Sequence, residues 1–447
     1  MRRRRYLALA VGGAVATAGC PVVDSPIADD DGETDPATDG ADGVDGADDD
    51  RTVASSPLEA DLQATVAMQD LELPWDVAFA EDGDGGREVF LTERPGRIRR
   101  GEASVLTDGE REAPDALPEE PVELPMFISS WEAGAQGIAL HPDYPDAPWV
   151  YVYYTAGDPD DDVEEWFNRV VRYDATDDDR EIEVLVDEIP GSHIHNGGRI
   201  AFGPDDRLWI LAGTGGDQDL ARDPTSLGGA VLRIDPDGDP AGAGVDGWDP
   251  RTVSHGHRNP QGIDWLPDGT PLVAEHGPAQ RDELHLLEEG ADHGWEVARG
   301  GDDDPQYDSY HDHDFARPVA SSGQENTWAP SGGAVYDAEA IPGLRGRFLL
   351  GGLVSKRLHV FTLLDPDEER PPGDAAEVHD DDWLDDAALA VRHERFEGAY
   401  GRLRHAAVGP DGAVYLLTSN TTGPIDEEYE DEFPREHDDV IVRVEPA

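Results

Sequence analysis

The chain has 447 residues, and its 34 Lys and Arg against 99 Asp and Glu give a net charge of −65. A charge this negative excludes a nucleic-acid backbone as the default partner, because that partner requires a basic protein face. Hydrophobic residues make up 38% of the chain, which is enough for a folded core. The excess of acid, with Lys356 as the only lysine, indicates adaptation to high salt, where counterions screen self-repulsion.

Residues 1–19 predict an export signal. Four arginines at 2–5 precede an apolar run at 6–18, which is the order of a basic and then a hydrophobic signal region. The arginine cluster favours the twin-arginine route. The sequence TAGC at 17–20 resembles a lipobox, so we expect Cys20 to be lipidated and to anchor the protein to the outer face of the cell membrane. A membrane span is the alternative, but the run is shorter than the roughly 20 residues that a span needs.

Residues 20–57 predict a disordered acidic linker. They consist mainly of Asp, Gly, Ala, Thr and Pro, with runs of three aspartates at 29–31 and 48–50. Such a segment buries too little apolar surface to offset the entropy of ordering it. A specific ion-binding role is the less favoured alternative. The remaining residues, 58–447, are then a single folded domain.

One element recurs through this domain: an apolar residue, a Pro-Asp or Asp-Gly turn, and an alternating strand. The turn aspartates of the first four copies are Asp82, Asp143, Asp205 and Asp268. They are spaced 61, 62 and 63 residues apart, and a later copy turns at Asp411. Residues 342–363, with an Arg-Gly turn at 345–346, fill the gap between them. Six units of about sixty residues predict an all-β, six-bladed β-propeller, with a repetitive β-sandwich array as the alternative.

Loops at one end of a propeller channel usually carry the site. The loop PGSHIHNGGR at 190–199 places His195 beside glycines, which suits a general base for a hydroxyl proton. Two alternatives remain open for it. His193 and His195 are spaced as a metal-binding pair, and a histidine on a loop is often unreactive.

The loop GHRNPQG at 256–262 offers the planar cationic fork of Arg258 and the amide of Asn259 to a carboxylate or carbonyl group. A structural arginine is the alternative. Next, EHGP at 275–278 presents the carbonyl oxygens of Gly277 and Pro278, which are hard ligands that Ca²⁺ accepts. The acidic run at 302–304 is interpreted as a solvated surface.

The loop GRLRH at 401–405 contains Arg402 and Arg404, which project together from an extended segment. They form an anion site or pair with nearby acids. Together the three loops supply three arginines, one histidine and two backbone carbonyls. If they converge on the channel, they fit a polyanionic cofactor that carries carbonyl groups.

From about residue 71 to residue 423 the sequence resembles the soluble PQQ-dependent aldose or glucose dehydrogenases, which are six-bladed propeller quinoproteins. The matching motifs, in order, are LPW at 73–75, TERPG at 92–96, GIALHP at 137–142, HNGGR at 195–199, SLGG at 226–229, RIDP at 233–236, GHRNPQG at 256–262, EHGP at 275–278, DEL at 282–284, HGW at 293–295 and RLR at 402–404.

The resemblance implies a role for each matched residue. His195 occupies the position of the base that takes the C1 hydroxyl proton while hydride passes to PQQ, and Arg258 and Asn259 match the pair at the quinone oxygens. Gly277 and Pro278 match the carbonyl ligands of Ca²⁺. The remaining matches are Arg402 and Arg404 at the cofactor's carboxylates and Glu132 on the substrate side.

The sequence departs from the family at three positions. Gly213 is followed by Thr214 where the family has an aspartate, and Asp217 replaces that aspartate only if the loop takes another path. Val354 aligns with a cofactor-facing lysine, so Lys356, two residues on, is the candidate replacement. A late aspartate aligns with Ser419.

The expected activity is oxidation of aldose sugars to lactones with PQQ and Ca²⁺, and the electrons pass to an unidentified acceptor. One alternative is a non-catalytic propeller that binds a saccharide or a protein. The other is a Ca²⁺-dependent lactone hydrolase, which would need several carboxylates around the metal.

Overall fold

The computed structural model describes residues 60–81, 86–108, 111–158, 163–177, 179–366, 377–421 and 432–447. The predicted export signal at 1–19, Cys20 and the predicted linker at 20–57 lie outside these ranges, as does the turn at Asp82. No helix in the described part of the chain has the length and apolar character needed to cross a membrane.

Within the described ranges the chain forms 24 strands in six antiparallel sheets, which are the blades. The first blade contains β2 (Pro74–Glu81), β3 (Arg87–Glu93) and β4 (Arg97–Glu102). The second contains β5 (Ala135–Leu140), β6 (Trp149–Ala156), β7 (Phe167–Asp174) and β8 (Glu183–Pro190). The third contains β9 (Ile200–Phe202), β10 (Leu208–Ala212), β11 (Ala230–Ile234) and β12 (Thr252–His255).

The fourth blade contains β13 (Pro260–Trp265), β14 (Pro271–Glu275), β15 (Glu283–Leu286) and β16 (Ala320–Ser321). The fifth contains β17 (Pro330–Tyr336), β18 (Arg347–Gly352), β19 (Leu358–Leu364), β20 (Glu377–His379) and β21 (Leu389–Arg395). The sixth contains β22 (Leu403–Val408), β23 (Val414–Thr418), β24 (Ile441–Pro446) and β1 (Leu62–Met68).

Helical structure among the described residues is confined to short segments between strands. One α-helical turn, α1, spans Ser104–Thr107. The 3₁₀ turns are Pro114–Ala116, Val163–Glu165, Gln218–Arg222, Tyr310–Asp312 and Pro342–Leu344.

The sequence repeat corresponds to the innermost hairpin of each blade. Strands β2, β5, β9, β13, β17 and β22 contact one another in a ring and therefore line the axis. Each pairs with the next strand along the chain, and the predicted turns at Asp143, Asp205, Asp268 and Asp411 connect such pairs. The turn at 345–346 precedes β18 in the same way. The prediction of an all-β, six-bladed propeller is confirmed.

The ring closes through the sixth blade, where the first strand of the described chain pairs with the last. β1 runs antiparallel to β24, with Leu62 opposite Pro446 and Val66 opposite Val442. This pairing covers the strand edge that an open ring would expose.

The core lies between neighbouring blades. The middle strands of a blade pack against neighbouring blades on both faces. Residues 150–154 (VYVYY) of β6 are therefore all fully buried, and buried and exposed residues do not alternate along this strand. Tyr151, Ile210 and Leu232, for example, pack in one apolar cluster between the second and third blades.

Candidate active site

The predicted site residues converge at the end of the channel where the axis-lining strands begin. Glu132, His195 and Arg258 lie in the segments just before β5, β9 and β13, and the two arginines of the RLR motif lie at the start of β22. The β14–β15 connection reaches the same end, because Glu275 pairs with Pro260. Loops that are distant in sequence therefore meet at one opening, which we call the channel mouth.

Hydrogen bonds fix the backbone of His195. Glu132 donates its N–H to the carbonyl of His193 (3.1 Å), and its Oε2 accepts the N–H of His195 (2.9 Å). His195 has a φ of 56°, and its carbonyl accepts the N–H of Gly215 (2.9 Å). A Cβ on Gly213 would lie 2.0 Å from that carbonyl oxygen, so only glycine fits beside it.

The imidazole of His195 is half-buried, and its Nδ1 is buried without a hydrogen-bond partner. Burial and the nearby charge of Arg258 lower the pKa of His195 to about 3. The ring is therefore neutral at physiological pH, with a nitrogen free of a proton, and a negative charge placed beside it would raise its pKa and make it a stronger base. The alternative in which His193 and His195 bind a metal ion gains no support. The group of side chains close enough to hold a metal ion among the described residues is Glu275, Glu283 and His285, and it contains neither histidine.

Arg258 and Asn259 are oriented by their neighbours. Arg258 donates its N–H to Glu275 Oε2 (2.8 Å), and its guanidinium lies 5.5 Å from the centre of the Trp295 ring. Asn259 Oδ1 accepts the N–H of Gly197 (3.0 Å), which assigns the amide orientation and leaves its NH₂ to donate to a ligand.

Positive charge accumulates at the mouth. Arg404 donates to Gln261 Oε1 (3.0 Å) and to Ser331 Oγ (3.1 Å). Burial, together with repulsion from Arg94 and Arg402, lowers the pKa of Arg404 to about 9. Burial also lowers the pKa of Arg94. Buried arginines close enough to repel one another form a binding place for an anion with several charges.

Two residues of this site lie within the sequence motifs but were not predicted to be functional. One is Arg94 of TERPG, which is 6% exposed and electrostatically coupled to Glu132. The other is His276 of EHGP. Its Nε2 is buried without a partner, and burial and the nearby arginines hold its pKa well below the usual range. The motifs TERPG and EHGP indicated that Arg94 and His276 could be functional, but the sequence did not show that both side chains lie near the channel axis.

The turn that carries Gly277 and Pro278 is rigid. Asp282 accepts the N–H groups of Gly277 (2.9 Å) and Trp328 (2.6 Å), so its carboxylate serves the loop itself. A Cβ on Gly277 would lie 2.0 Å from Gln280 O. The carbonyl groups of Gly277 and Pro278 are therefore carried on a backbone held in one conformation.

The three departures from the family are resolved differently. Thr214 is fully buried, with an Oγ1 that lacks a partner, whereas Asp217 is exposed and caps the turn Gln218–Arg222 through the N–H of Asp219 (3.3 Å). Asp217 therefore does not replace the missing aspartate.

Lys356 lies in the β18–β19 connection at the mouth. It is 4% exposed, and its backbone carbonyl accepts the N–H of Gly398.

A carboxylate from another segment lies beside Ser419. Ser419 donates its N–H to the carbonyl of Arg402 (2.9 Å). Asp439, fully buried just before β24, accepts from Thr418 Oγ1 (3.3 Å) and Thr421 Oγ1 (2.7 Å) on either side of that serine. Asp439 also interacts electrostatically with Arg94. A carboxyl group therefore lies close to position 419, contributed by a residue twenty positions further along the chain.

A buried charge network, which we call the blade-4 network, supports the mouth from below. Arg299 pairs with both Glu275 and Glu283, and its Nη2 lies 2.9 Å from Glu275 Oε1. His285 Nε2 lies 3.3 Å from Glu275 and 3.2 Å from Glu283. The two glutamates and His285 are close enough to share a metal ion, but the guanidinium of Arg299 already pairs with both carboxylates. The network is therefore structural, and Glu275 connects it to Arg258.

The structure also corrects one surface prediction. Asp304, in the acidic run at 302–304, is only 9% exposed and pairs with Arg281, whose Nη2 donates to its Oδ1 (3.1 Å). Asp302 and Asp303 are exposed as expected.

A layer of buried side chains lies on the axis beneath the mouth. The guanidinium groups of Arg404 and Arg199 lie 5.8 and 4.2 Å from the centre of the Trp75 ring. Arg199 pairs with Asp76, and His405 Nε2 lies 3.4 Å from the same carboxylate. Beyond this layer, towards the opposite end, is a cavity of about 640 Å³. Buried side chains therefore lie between the mouth and this cavity.

The proteins that this chain resembles include several sugar dehydrogenases. The family model for glucose / sorbosone dehydrogenase matches residues 71–427. The PQQ-bound aldose sugar dehydrogenase of Streptomyces coelicolor is 30% identical, covers 86% of this chain and 98% of its own, and superposes with a TM-score of 0.63. Aldose sugar dehydrogenase YliI of Escherichia coli K12 is 23% identical over 82% of this chain and 92% of its own. Quinoprotein glucose dehydrogenase B of Acinetobacter calcoaceticus is 31% identical over 41% of this chain and 45% of its own. Since the family model spans most of the chain, the protein belongs to the glucose / sorbosone dehydrogenase family.

Proposed function

We propose that the protein oxidises the C1 hydroxyl of aldose sugars to lactones, with PQQ and Ca²⁺ as cofactors and His195 as the general base. The observation that carries this proposal is the imidazole of His195, whose Nδ1 has no hydrogen-bond partner, beside the buried arginines of the channel mouth. A base and an anion site are the two groups that removal of a proton next to a polyanionic cofactor requires.

The residues of the mouth fit both cofactors. Arg94, Arg402 and Arg404 would hold the carboxylates of PQQ, while Arg258 and Asn259 would donate to its quinone oxygens. The carbonyl oxygens of Gly277 and Pro278 would bind Ca²⁺. When bound, PQQ supplies the hydride acceptor, and Ca²⁺ as a Lewis acid makes it more electrophilic.

The chain's own residues handle the proton and the orientation of the sugar. As the C1 hydride leaves for the acceptor, His195 takes the hydroxyl proton, so that the sugar loses two electrons and two hydrogens to become the lactone. Glu132 holds the backbone of His195 in place and presents a carboxylate to the sugar hydroxyls. The proton that arrives on His195 next to Arg258 is offset by the negative charge of the bound cofactor.

The test uses purified apoprotein in molar KCl with PQQ and Ca²⁺, and follows dye reduction with several aldoses. PQQ-dependent reduction should fall by about 10²-fold or more in His195→Ala, since positioned bases contribute about 10²- to 10⁴-fold. His193→Ala is the matched control and should keep most of the activity. A folded protein that binds no PQQ would instead favour the alternative of a non-catalytic propeller that binds a saccharide or a protein.

We also propose that the protein is exported and anchored by lipid on Cys20. The support is the order of the arginine cluster, apolar run and TAGC sequence at 2–20. In cells, the full-length protein should partition into detergent, and Cys20→Ser should release it to the aqueous phase. Equal partitioning of both forms would contradict the anchor.

We further propose that the protein functions in high salt. The 65 negative charges in excess repel one another strongly at low ionic strength. The midpoint of thermal unfolding should therefore rise as KCl is increased from about 0.1 M to about 1 M, a range over which the Debye length falls from about 10 Å to about 3 Å. An unchanged midpoint would contradict this proposal.

A further inference from the structure

A long connection in the fourth blade reaches the side chain of Arg258. Residues 287–319, all of them within the described ranges, join β15 to β16, although these strands are neighbours in one sheet. Neighbouring antiparallel strands need only a short turn, and a connection longer than about 12–15 residues usually has a function of its own. The part of this connection that contacts Arg258 is the motif HGW at 293–295.

The indole of Trp295, the last residue of this motif, is fixed in place. Trp295 is 1% exposed, and its N–H donates to the carbonyl of Gly256 (2.9 Å), two residues before Arg258. Its own carbonyl accepts from Nη1 of Arg222 (3.2 Å), and its ring centre lies 5.8 Å from that of Tyr307. A ring held by its backbone and by its neighbours can in turn hold a flexible side chain that packs on it.

Two guanidinium groups share this ring. Those of Arg299 and Arg258 lie 5.1 and 5.5 Å from its centre, within the distance at which an indole attracts a cation. Burial and repulsion from Arg299 lower the pKa of Arg258. The charge of Arg299 therefore repels the guanidinium of Arg258, and the attraction of Arg258 to the indole opposes that repulsion.

Few other contacts orient the guanidinium of Arg258. Within the described residues it pairs with no carboxylate, and its hydrogen bond from Nη1 to the carbonyl of His276 is long, at 3.4 Å. The bond from Arg258 to Glu275 starts at the backbone N–H and leaves the side chain free to rotate. The indole of Trp295 is therefore the main contact that can fix this side chain.

We propose that Trp295 is a positioning residue, which holds the guanidinium of Arg258 beside His195 at the place of the cofactor's quinone oxygens. This inference rests on the proposed function. Trp295 acts through Arg258, and the long connection of the fourth blade thereby serves the reaction from behind the site. Without the indole, the guanidinium moves away from the position in which it donates to the cofactor.

The first measurement follows arginine side chains of the full-length apoprotein by NMR relaxation at Nε, in molar KCl. In the wild type, Arg258 should be as rigid as Arg299 and more rigid than the exposed Arg207. Trp295→Met fills much of the space without an aromatic face and should make Arg258 as mobile as Arg207. Trp295→Phe keeps a ring and should restore most of the rigidity. A wild-type Arg258 as mobile as Arg207 would overturn the proposal without any variant.

The second measurement is the Kd for PQQ, determined by isothermal titration with Ca²⁺ present. Trp295→Met should raise it about 3- to 30-fold, the range expected for loss of a buried cation–π contact. In the background of Arg258→Leu the same change should have no further effect, because the indole acts through that arginine. Trp209→Met is the matched control. Trp209 is 3% exposed and packs on Arg233 (4.8 Å) near the turn at Asp205, so its loss should leave the Kd within about twofold.

The outcomes separate the positioning role from the proposed function. Equal increases in Kd with and without Arg258, or an equal increase in Trp209→Met, would overturn the positioning role while PQQ binding by the wild type stands. A wild-type protein that binds no PQQ would instead count against the proposed function, and the NMR comparison would still decide whether Trp295 holds Arg258.

Discussion

The channel mouth and the blade-4 network both bury arginine side chains, but they differ in how that charge is balanced. In the network, Arg299 contacts two carboxylates, those of Glu275 and Glu283. At the mouth, Arg94 and Arg404 repel each other, and the nearby acids do not offset the cost of burying them. In a chain with 65 negative charges in excess, acids are abundant, so a buried cluster of arginines without matching acids supports the proposal of an anionic ligand there.

The largest expected effect comes from removing the only arginine that pairs with both glutamates of the blade-4 network among the described residues. Arg299→Leu would leave Glu275 and Glu283 buried without their cation and should lower the free energy of unfolding by about 3–5 kcal/mol. Chemical denaturation at constant molar salt measures this loss. Arg207→Leu removes an exposed arginine 3.9 Å from Asp205 and should cost less than about 1 kcal/mol. Similar losses in the two variants would contradict a special role for the network.

Removing an arginine from the unbalanced cluster should have a smaller effect on folding and a clear effect on the ligand. Arg404→Met relieves repulsion from Arg94 and Arg402, so the apoprotein should unfold within about 1 kcal/mol of the wild type. The Kd for PQQ should rise roughly 10- to 100-fold, because hydrogen bonds to charged groups contribute about 1.5–3 kcal/mol. Isothermal titration and the PQQ-induced shift in Tm report the two quantities. An unstable apoprotein with unchanged PQQ affinity would show that Arg404 supports the fold, as Arg299 is expected to, and does not bind the cofactor.

The pH dependence of kcat/KM tests whether Arg258, which is hydrogen-bonded to Glu275 of the blade-4 network, also lowers the pKa of His195. Because the pKa of His195 is lowered, its neutral, proton-accepting form is present above that pKa and is lost only as the pH falls through it. Arg258→Leu removes a positive neighbour, raises the pKa of His195 and should move the acid limb of kcat/KM to higher pH by about one unit. Arg258→Lys keeps the charge and should leave the limb in place. A limb that shifts equally in both variants would argue against this electrostatic coupling.

The smallest effect is expected at Asp217. Since this carboxylate is exposed and caps a 3₁₀ turn, Asp217→Ala should cost about 0.5–1 kcal/mol of stability and should not change PQQ affinity. Denaturation and titration of the same preparation check both values. A marked loss of PQQ binding would show that Asp217 takes the place of the aspartate missing at Thr214.

The sequence predicted the inner half of each blade well, because the Pro-Asp and Asp-Gly turns are local signals. It was less informative about the outer strands. β16 has only two residues, Ala320–Ser321, and Glu377–His379 adds a fifth strand to the fifth blade. The closing pair of β1 and β24 joins segments at opposite ends of the domain, and no local pattern indicates which strands pair across such a distance.

For the site, motifs identified loops but not the direction of each side chain. His195 and Arg258 were predicted because their chemistry is distinctive within a glycine-rich loop. Arg94 and His276 lie in equally distinct motifs, and only the fold shows that they share the mouth. Asp439 was missed because it reaches the neighbourhood of Ser419 from twenty residues further along the chain.

The one-sided arrangement of the candidate site has a kinetic consequence for the proposed reaction. His195, the arginines and the carbonyl groups of Gly277 and Pro278 lie at the channel mouth, and the buried side chains of Trp75, Arg199 and Asp76 lie beneath it. If the sugar and the electron acceptor both reach the cofactor from this side, they occupy the same place in turn. The two half-reactions then alternate in time, and double-reciprocal plots at several acceptor concentrations should give parallel lines rather than lines that intersect.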